Sequence, residues 1–453
     1  MRGIRLTPTG LTLCKEDGSD LSVFVPYVLP DEIFDARITQ TQKNFAKAVV
    51  TKLIKPSALR QKPHCKHFGV CGGCDLQHLK DEEQLNFKKE ILLTQLQKMG
   101  GFDLTNLPEI ILRPTHEKYY RRRVQVPVVK NNDQIELGFF RAESHQVEPL
   151  QECFIQNKSL TEIILMLAKK LNEFQKQKPG FNLIYDEKKH QGELRHIILK
   201  TNRAGDEVLL GFVTQTSQNG WMKVFWEEIK ELLKPYNVIG FLQNVQSKRG
   251  NTILSEHWNL IQGTAEFKES DFDLNLYDTL ASFTQVNLEG EKIIHATLKE
   301  WLEGLKSKHL LDVYGGRGDF SFLLRESFKN KIIVEENHIS VALGQKVVKE
   351  NGLKDFEYIC DKAEKIIKEK AQVIGDFVAI VDPPRKGLMS EVITALNDNP
   401  AVKLAYVSCD PVTLARDLKL LCEKTYEIEH ILLIDMFPQT HHMETMVLLK
   451  GKN

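Results

Sequence analysis

The sequence predicts an α/β protein: a small β-barrel at the N-terminal end, a mostly antiparallel domain in the middle and a doubly wound parallel sheet at the C-terminal end. Three observations carry that expectation. After about residue 288, helical and buried-strand patterns alternate, as a parallel sheet covered on both faces requires. Residues 1 to about 62 hold short β-like runs broken by Pro and polar residues, the pattern of a small barrel. Between about 107 and 260 strand-like segments dominate, with one helical stretch near Leu160 to Phe174. A chain of 453 residues exceeds one core of ordinary size, and an apolar fraction of 42% is ample for burial.

The barrel strands are read from LSVFVPYVLP, DEIFDARITQ and FAKAVVTKLIKP. From Ala36 to Lys66 there are eight Lys or Arg residues and no Asp or Glu, an excess that suits a phosphate backbone as well as a solvated strand face. Lys118 and the run Arg121, Arg122, Arg123 flank Tyr119 and Tyr120, a pairing of cations with aromatic rings that suits stacked bases. Lys plus Arg and Asp plus Glu both total 61, which argues against a protein that coats polyanions indiscriminately. With no apolar leader after MRGIRLTPTG and no run of membrane-spanning length, the expectation is a soluble cytoplasmic protein without a membrane partner.

Cys65, Cys71 and Cys74 gather in a loop with Gly69, Gly72 and Gly73, a density that packing does not explain. Two metals fit the pattern: Cys153 could complete a four-thiolate iron–sulfur site, or His64, His67 or His78 a zinc site. Cys14, Cys360 and Cys422 read as unligated. Leu76 to Met99 reads as a helix with Leu85, Leu92 and Leu96 on its apolar face. In the middle of the chain RRVQVPVV, IELGFF, ELRHIILK and EVLLGFVT read as strands.

In the C-terminal part EKIIHATLKEWLEGL is helical, while HLLDVYGG, KIIVEE, DFVAIVD and KLAYVSC are strands. Ligands of such sheets lie beyond the strands' carboxyl ends, and those ends carry Asp312, Glu335, Asp382 and Cys409. Asp312-Val-Tyr-Gly-Gly-Arg-Gly318 turns a strand sharply into a helix and lets backbone approach a ligand. Glu335 is placed to accept hydrogen bonds from ribose hydroxyls, and Asp361 to read an adenine edge. Each acid alone is an ordinary strand terminus; their recurrence favours an adenosyl pocket. Asp382, stiffened by Pro383 and Pro384, can orient a planar substrate edge or simply close an Asx turn. Cys409, before the polar turn Asp410-Pro411, is a candidate nucleophile against the alternative of a core cysteine. Glu444 is the candidate base, with His441 and His442 as rivals.

Together VFVPYVLPDE, PHCKHFGVCGGCDLQHL, SFTQVN, LLDVYGGRGDF, DPPRKG, YVSCDPVTLARDL and FPQTHHME resemble the RNA 5-methyluridine methyltransferase family, and specifically its iron–sulfur-containing bacterial 23S ribosomal RNA branch. The resemblance spans nearly the whole chain. It implies a TRAM barrel of the oligonucleotide-binding type over 1–62, a central α+β RNA-binding domain over 63–265 and a Rossmann-like class I methyltransferase domain over 266–453. It implies methyl transfer from S-adenosylmethionine to carbon 5 of a uridine, with Cys409 as nucleophile, Glu444 as proton-abstracting base and Asp382 beside them. Gln285, Tyr314, Asp319, Glu335, Asp361 and Asp382 would line the S-adenosylmethionine and uracil pocket. Cys65, Cys71, Cys74 and Cys153 would hold a four-iron, four-sulfur (4Fe-4S) cluster. The partner would be structured RNA, first of all 23S ribosomal RNA, and the enzyme a monomer. Two other functions fit the same residues: methylation of the T-loop uridine of transfer RNA, and RNA binding in ribosome assembly without strong catalysis. The chain departs from the family at Gly315, commonly cysteine, at Asp319, commonly asparagine, at Arg122 and Arg123, and in a short barrel segment. These differences bear on RNA choice and cofactor affinity more than on reaction class.

Overall fold

The computed structural model describes residues 1–16, 18–305 and 307–452. The chain divides into two compact units, one of Met1–His64, Cys74–Glu117 and Glu289–Asn453, the other of Cys65–Gly73 and Lys118–Leu288.

In the first unit, strands Arg2–Leu6, Thr12–Lys15, Ser22–Val25, Ile33–Thr41 and Phe45–Lys55 close into the expected barrel. Alternation turns Val23, Val25, Phe34, Ala46 and Ala48 inward. Glu32 is fully buried, with its carboxylate accepting from Leu29 N, Ser57 N and the Arg60 guanidinium. One cation of the basic stretch, Arg60, is therefore partly buried in an ion pair, whereas Arg37, Lys43, Lys52 and Lys55 face solvent.

The same unit holds an eight-stranded sheet in the order Phe356–Ile359, Asn330–Val334, His309–Val313, Phe377–Val381, Lys403–Ser408, Glu444–Gly451, Tyr426–Ile434, Ile110–Arg113. The first five strands run parallel, and Glu444–Gly451 is antiparallel to both its neighbours. Strand order reverses between His309–Val313 and Phe377–Val381, which opens a crevice at their carboxyl ends. The sequence reading did not single out Ile110–Arg113; its four residues pair in parallel with Tyr426–Ile434 from the far end of the chain. The helix predicted near Leu76–Met99 starts later, at Asp81, with three acids in its first turn complementing the helix dipole. It buries Leu85, Ile91, Leu92 and Leu96, and also Lys88. Among the described residues no helix is long and apolar enough to cross a membrane.

The second unit is built on a seven-stranded sheet, antiparallel except where Val208–Thr214 meets Val238–Val245. Helices Lys158–Gln177 and Gly220–Leu233 bury Leu167, Leu171, Phe225 and Ile229 in its core. The Arg121–Arg123 run is mainly internal here, contrary to its reading as an RNA patch. Arg122 is 4% exposed and lies 3.7 Å from both Glu269 and Asp278. Arg123 donates to the carbonyls of Leu280 and Ser282. Only Arg121 of the three is exposed. Burial of a cation is tolerated where carboxylates and carbonyls surround it.

Candidate active site

All five parallel strands end at one edge of the sheet, and the antiparallel strand Glu444–Gly451 begins there. Ser408 pairs with Thr445, so the next residue of one strand, Cys409, falls opposite the preceding residue of the other, Glu444. Register thus brings the candidate nucleophile and base to one place.

Tyr314 leaves its strand in the left-handed region, at φ 60°. Gly315 N then donates to Val334 O at 3.2 Å and Gly316 N to Glu335 Oε2 at 3.0 Å, tying the turn to the neighbouring strand. Gly316 has φ 57°, and a Cβ there would meet nothing within 4 Å, so the turn borders open space. Below it Asp312 is buried; one carboxylate oxygen accepts from Ser321 Oγ at 2.8 Å and the other has no partner. The Tyr314 hydroxyl is likewise buried, beside the Met389 backbone. Burial pushes the Asp312 carboxyl up to about 7. A buried polar atom left unsatisfied beside an open glycine turn fits a polar ligand such as an adenosyl group.

Glu335 is half-buried and its second oxygen accepts from Asn337 N at 2.7 Å. Asp319 accepts from Arg317 Nε at 2.7 Å. Asp361 accepts from Lys362 N at 2.7 Å and pairs with Lys365 at 3.1 Å; the Lys362 N–H leads in holding its carboxyl below the usual range. Glu335 and Asp361 thus stand just beyond successive strand ends and Asp319 opens the helix Asp319–Leu323, each engaged with its own chain.

Asp382, Cys409 and Glu444 form the second half of the site. Burial first, then the Glu444 and Asp382 carboxylates, push the Cys409 thiol up to about 12, while the Arg385 guanidinium pulls it down. Burial and the Asp382 charge hold the Glu444 carboxyl well above its ordinary value. Asp382 is raised by burial and by Asp312 and Glu335. Asp410 caps the helix Pro411–Cys422, accepting from Val412 N and Thr413 N at 2.9 Å each, and so fixes the chain just after Cys409. The rival bases are otherwise engaged. His441 Nδ1 lies 2.6 Å from Asp75 Oδ2, and burial with the neighbouring His441 and Arg385 lowers His442 to about 3. Sequence reasoning passed over Arg385 as a cation acting on the thiol; its signal was a cation directly after Asp-Pro-Pro.

Gln285 belongs to the second unit, where its carbonyl accepts from Arg122 Nε at 3.1 Å. Phe283 nearby is 64% exposed.

The metal expectation requires correction. Among the described residues, no group of three or more His, Cys, Asp or Glu side chains could hold a metal ion. Cys65, Cys71 and Cys153 belong to the second unit and Cys74 to the first. Burial raises Cys65 and Cys153 and takes Cys71 to about 11. Two histidines of the zinc alternative are paired with carboxylates, His64 with Asp81 at 3.1 Å and His67 with Glu148 at 3.2 Å. These residues do not fit a 4Fe-4S cluster, and the assignment to the iron–sulfur 23S branch falls with it.

A closed barrel followed by this sheet and this crevice defines a class I methyltransferase core with an N-terminal TRAM-like domain. The sequence profile of the tRNA (uracil-5-)-methyltransferase family matches residues 80–452, and the chain belongs to that family. It is an S-adenosylmethionine-dependent RNA (uracil-5-)-methyltransferase. Among its relatives, an RNA methyltransferase of Clostridium acetobutylicum is 33% identical over 437 residues, covering 95% of this chain and 92% of its own. One from Clostridium tetani is 31% identical over 432 residues, with the same coverage of 95% and 92%. The crystal structure of Pyrococcus abyssi tRNA (uracil-54, C5)-methyltransferase in complex with S-adenosyl-L-homocysteine superposes with a TM-score of 0.73 at 24% identity, over 99% of each chain, and shares the fold.

Proposed function

We propose that the protein methylates carbon 5 of a uridine in the T-loop of transfer RNA, in the cytoplasm, through a transient bond from Cys409 to carbon 6. The observation that carries the reading is the register that sets Cys409 opposite Glu444 beside Asp382. The family's description and the name of the archaeal relative support transfer RNA over ribosomal RNA.

Carbon 5 of uracil is too weak a nucleophile to accept a methyl group unaided. S-adenosylmethionine would be held by Asp312, Tyr314, Glu335 and the glycine turn with Asp319 and Asp361, and would supply an electrophilic methyl carbon. The target base leaves its stack so that sulfur can reach it. Cys409 Sγ, its proton given up to solvent, would bond to carbon 6; the ring electrons would shift to carbon 5, whose pair takes the methyl group while the methyl–sulfur pair stays with the departing S-adenosylhomocysteine. Asp382 holds the planar edge of the base. The Arg385 guanidinium pulls the thiol down and so favours the attacking form. Glu444 then takes the proton from carbon 5; its electron pair re-forms the ring double bond and the carbon–sulfur pair returns to Cys409. A carboxyl raised by burial is a stronger base than an exposed one.

The test supplies methyl-labelled S-adenosylmethionine with either an unmodified transfer RNA transcript or protein-free 23S ribosomal RNA, followed by nucleoside mass mapping. Label in 5-methyluridine of the transfer RNA, absent with Cys409→Ala, is expected. Label only in ribosomal RNA overturns the substrate, and label in neither overturns the reaction.

A further inference from the structure

Residues 435–443 link Tyr426–Ile434 to Glu444–Gly451 and so deliver Glu444 to the sheet edge; Ile434 and Glu444 pair at the base of the loop. The loop is held by a part of the chain that contains none of the candidate site residues, the helix Asp81–Lys98 and the residues just before it. Lys88, 0% exposed, places its Nζ 2.6 Å from Asp435 Oδ1 and 3.1 Å from the Phe437 carbonyl. Gln84 and Gln439 are 355 positions apart and bond twice: Gln439 N donates to Gln84 Oε1 at 2.9 Å, and Gln84 Nε2 to Gln439 Oε1 at 3.0 Å. The Gln439 carbonyl accepts from Asp75 N and Leu76 N at 3.0 Å each. Gln439 itself sits at φ 70°, a conformation a non-glycine residue keeps only where its surroundings impose it.

A buried lysine and two buried glutamines are an expensive way to pack a helix whose other inward residues are Leu, Ile and Phe. Directional hydrogen bonds give what apolar packing does not, a single loop conformation. Cys409 has its own anchor in the Asp410 cap, on a different strand. The helix also packs on Pro411–Cys422, which follows Cys409, but its buried polar side chains Gln84 and Lys88 bond to the Glu444 loop.

We propose that Gln84, Lys88 and Gln439 are positioning residues that set the Glu444 carboxylate for the proton-abstraction step. The inference rests on Glu444 being the base. In that step the carbon 5 proton passes to Glu444, the carbon–hydrogen pair becomes the ring double bond and the carbon 6–sulfur pair leaves with Cys409. Misplacing the carboxylate slows this step while sulfur addition and methyl transfer, which precede it, continue. The covalent methylated protein–RNA adduct should then accumulate.

The experiment compares Gln84→Leu, the double variant Lys88→Met with Asp435→Leu, which leaves no lone buried charge, and Glu444→Gln. Turnover, Michaelis constants and the adduct fraction on denaturing gels are measured on full-length protein with transfer RNA, and a cooperative thermal melt selects folded variants. Turnover should fall about 10- to 100-fold, the loss expected of a misplaced catalytic group, with Michaelis constants little changed and adduct enriched as in Glu444→Gln. If Glu444→Gln accumulates adduct but neither folded clamp variant does, the clamp is refuted and the base stands. If Glu444→Gln itself accumulates none, the assignment of the base fails, and the clamp with it. Adduct falling in step with turnover in both clamp variants would mark a merely structural role and also overturn the proposal.

Discussion

The state of the Cys409 thiol offers a quantitative test on the protein without RNA. Its value is raised from the usual 9.0 to about 12, chiefly by burial and then by Glu444 and Asp382. Three units correspond to about 4 kcal/mol against ionisation. At pH 8 the thiolate fraction is then roughly 10³ lower than for an unperturbed cysteine. A more basic thiolate is also more nucleophilic, and a Brønsted coefficient of ~0.4–0.5 returns about 15- to 30-fold. The net expectation is alkylation by iodoacetamide about 30- to 60-fold slower than a free cysteine, before any steric shielding. The rate should climb about tenfold per pH unit from 7 through 10 with no plateau. Peptide mass spectrometry of the Cys409 fragment gives the rate at each pH. A plateau between pH 6 and 8 would show a thiolate already formed in the resting protein and refute the electrostatic reading.

Other perturbations reach different parts of the molecule. Asp312 has a folded value of about 7 against an ordinary 3.8, so its contribution to stability is full at low pH and is lost as pH rises through that window. Asp312→Asn should therefore gain on wild type by up to about 4 kcal/mol between pH 4 and 8 in urea melts, while losing S-adenosylmethionine binding; an unchanged difference would contradict this. Lys200 and Asp278 are both fully buried and 2.7 Å apart, and Lys200→Met should cost about 1–3 kcal/mol by removing a charged hydrogen bond while Arg122 stays beside the carboxylate. A denaturation midpoint equal to wild type would refute it. Gly10 has φ 76°, and a Cβ there would lie 2.9 Å from His441 Nδ1 and 3.1 Å from Asp75 Cγ. Gly10→Val should lower stability by about 1–3 kcal/mol, read from the melting temperature, and an unshifted melt would show that the barrel turn has room.

Local pattern was enough for the barrel, the alternating C-terminal half and the acids at strand ends, because side-chain period and turn chemistry are set by near neighbours in sequence. The motifs around Cys409 and Glu444 were legible for the same reason, as was the glycine turn after Asp312. What joined Cys409 to Glu444 was the pairing of Ser408 with Thr445, a register between distant strands. The clamp on the Glu444 loop spans 355 positions, and Gln84 and Lys88 read in sequence as ordinary polar residues of a helix. Arg122 and Arg123 looked like an RNA patch until the fold enclosed them with Asp278 and Glu269. The cysteines looked like a ligand set, but spacing along a loop does not say whether the side chains form a metal-binding group, and among the described residues none does. Burial and long-range hydrogen bonding are properties of the assembled chain, and they decide which polar residues are structural and which face the chemistry.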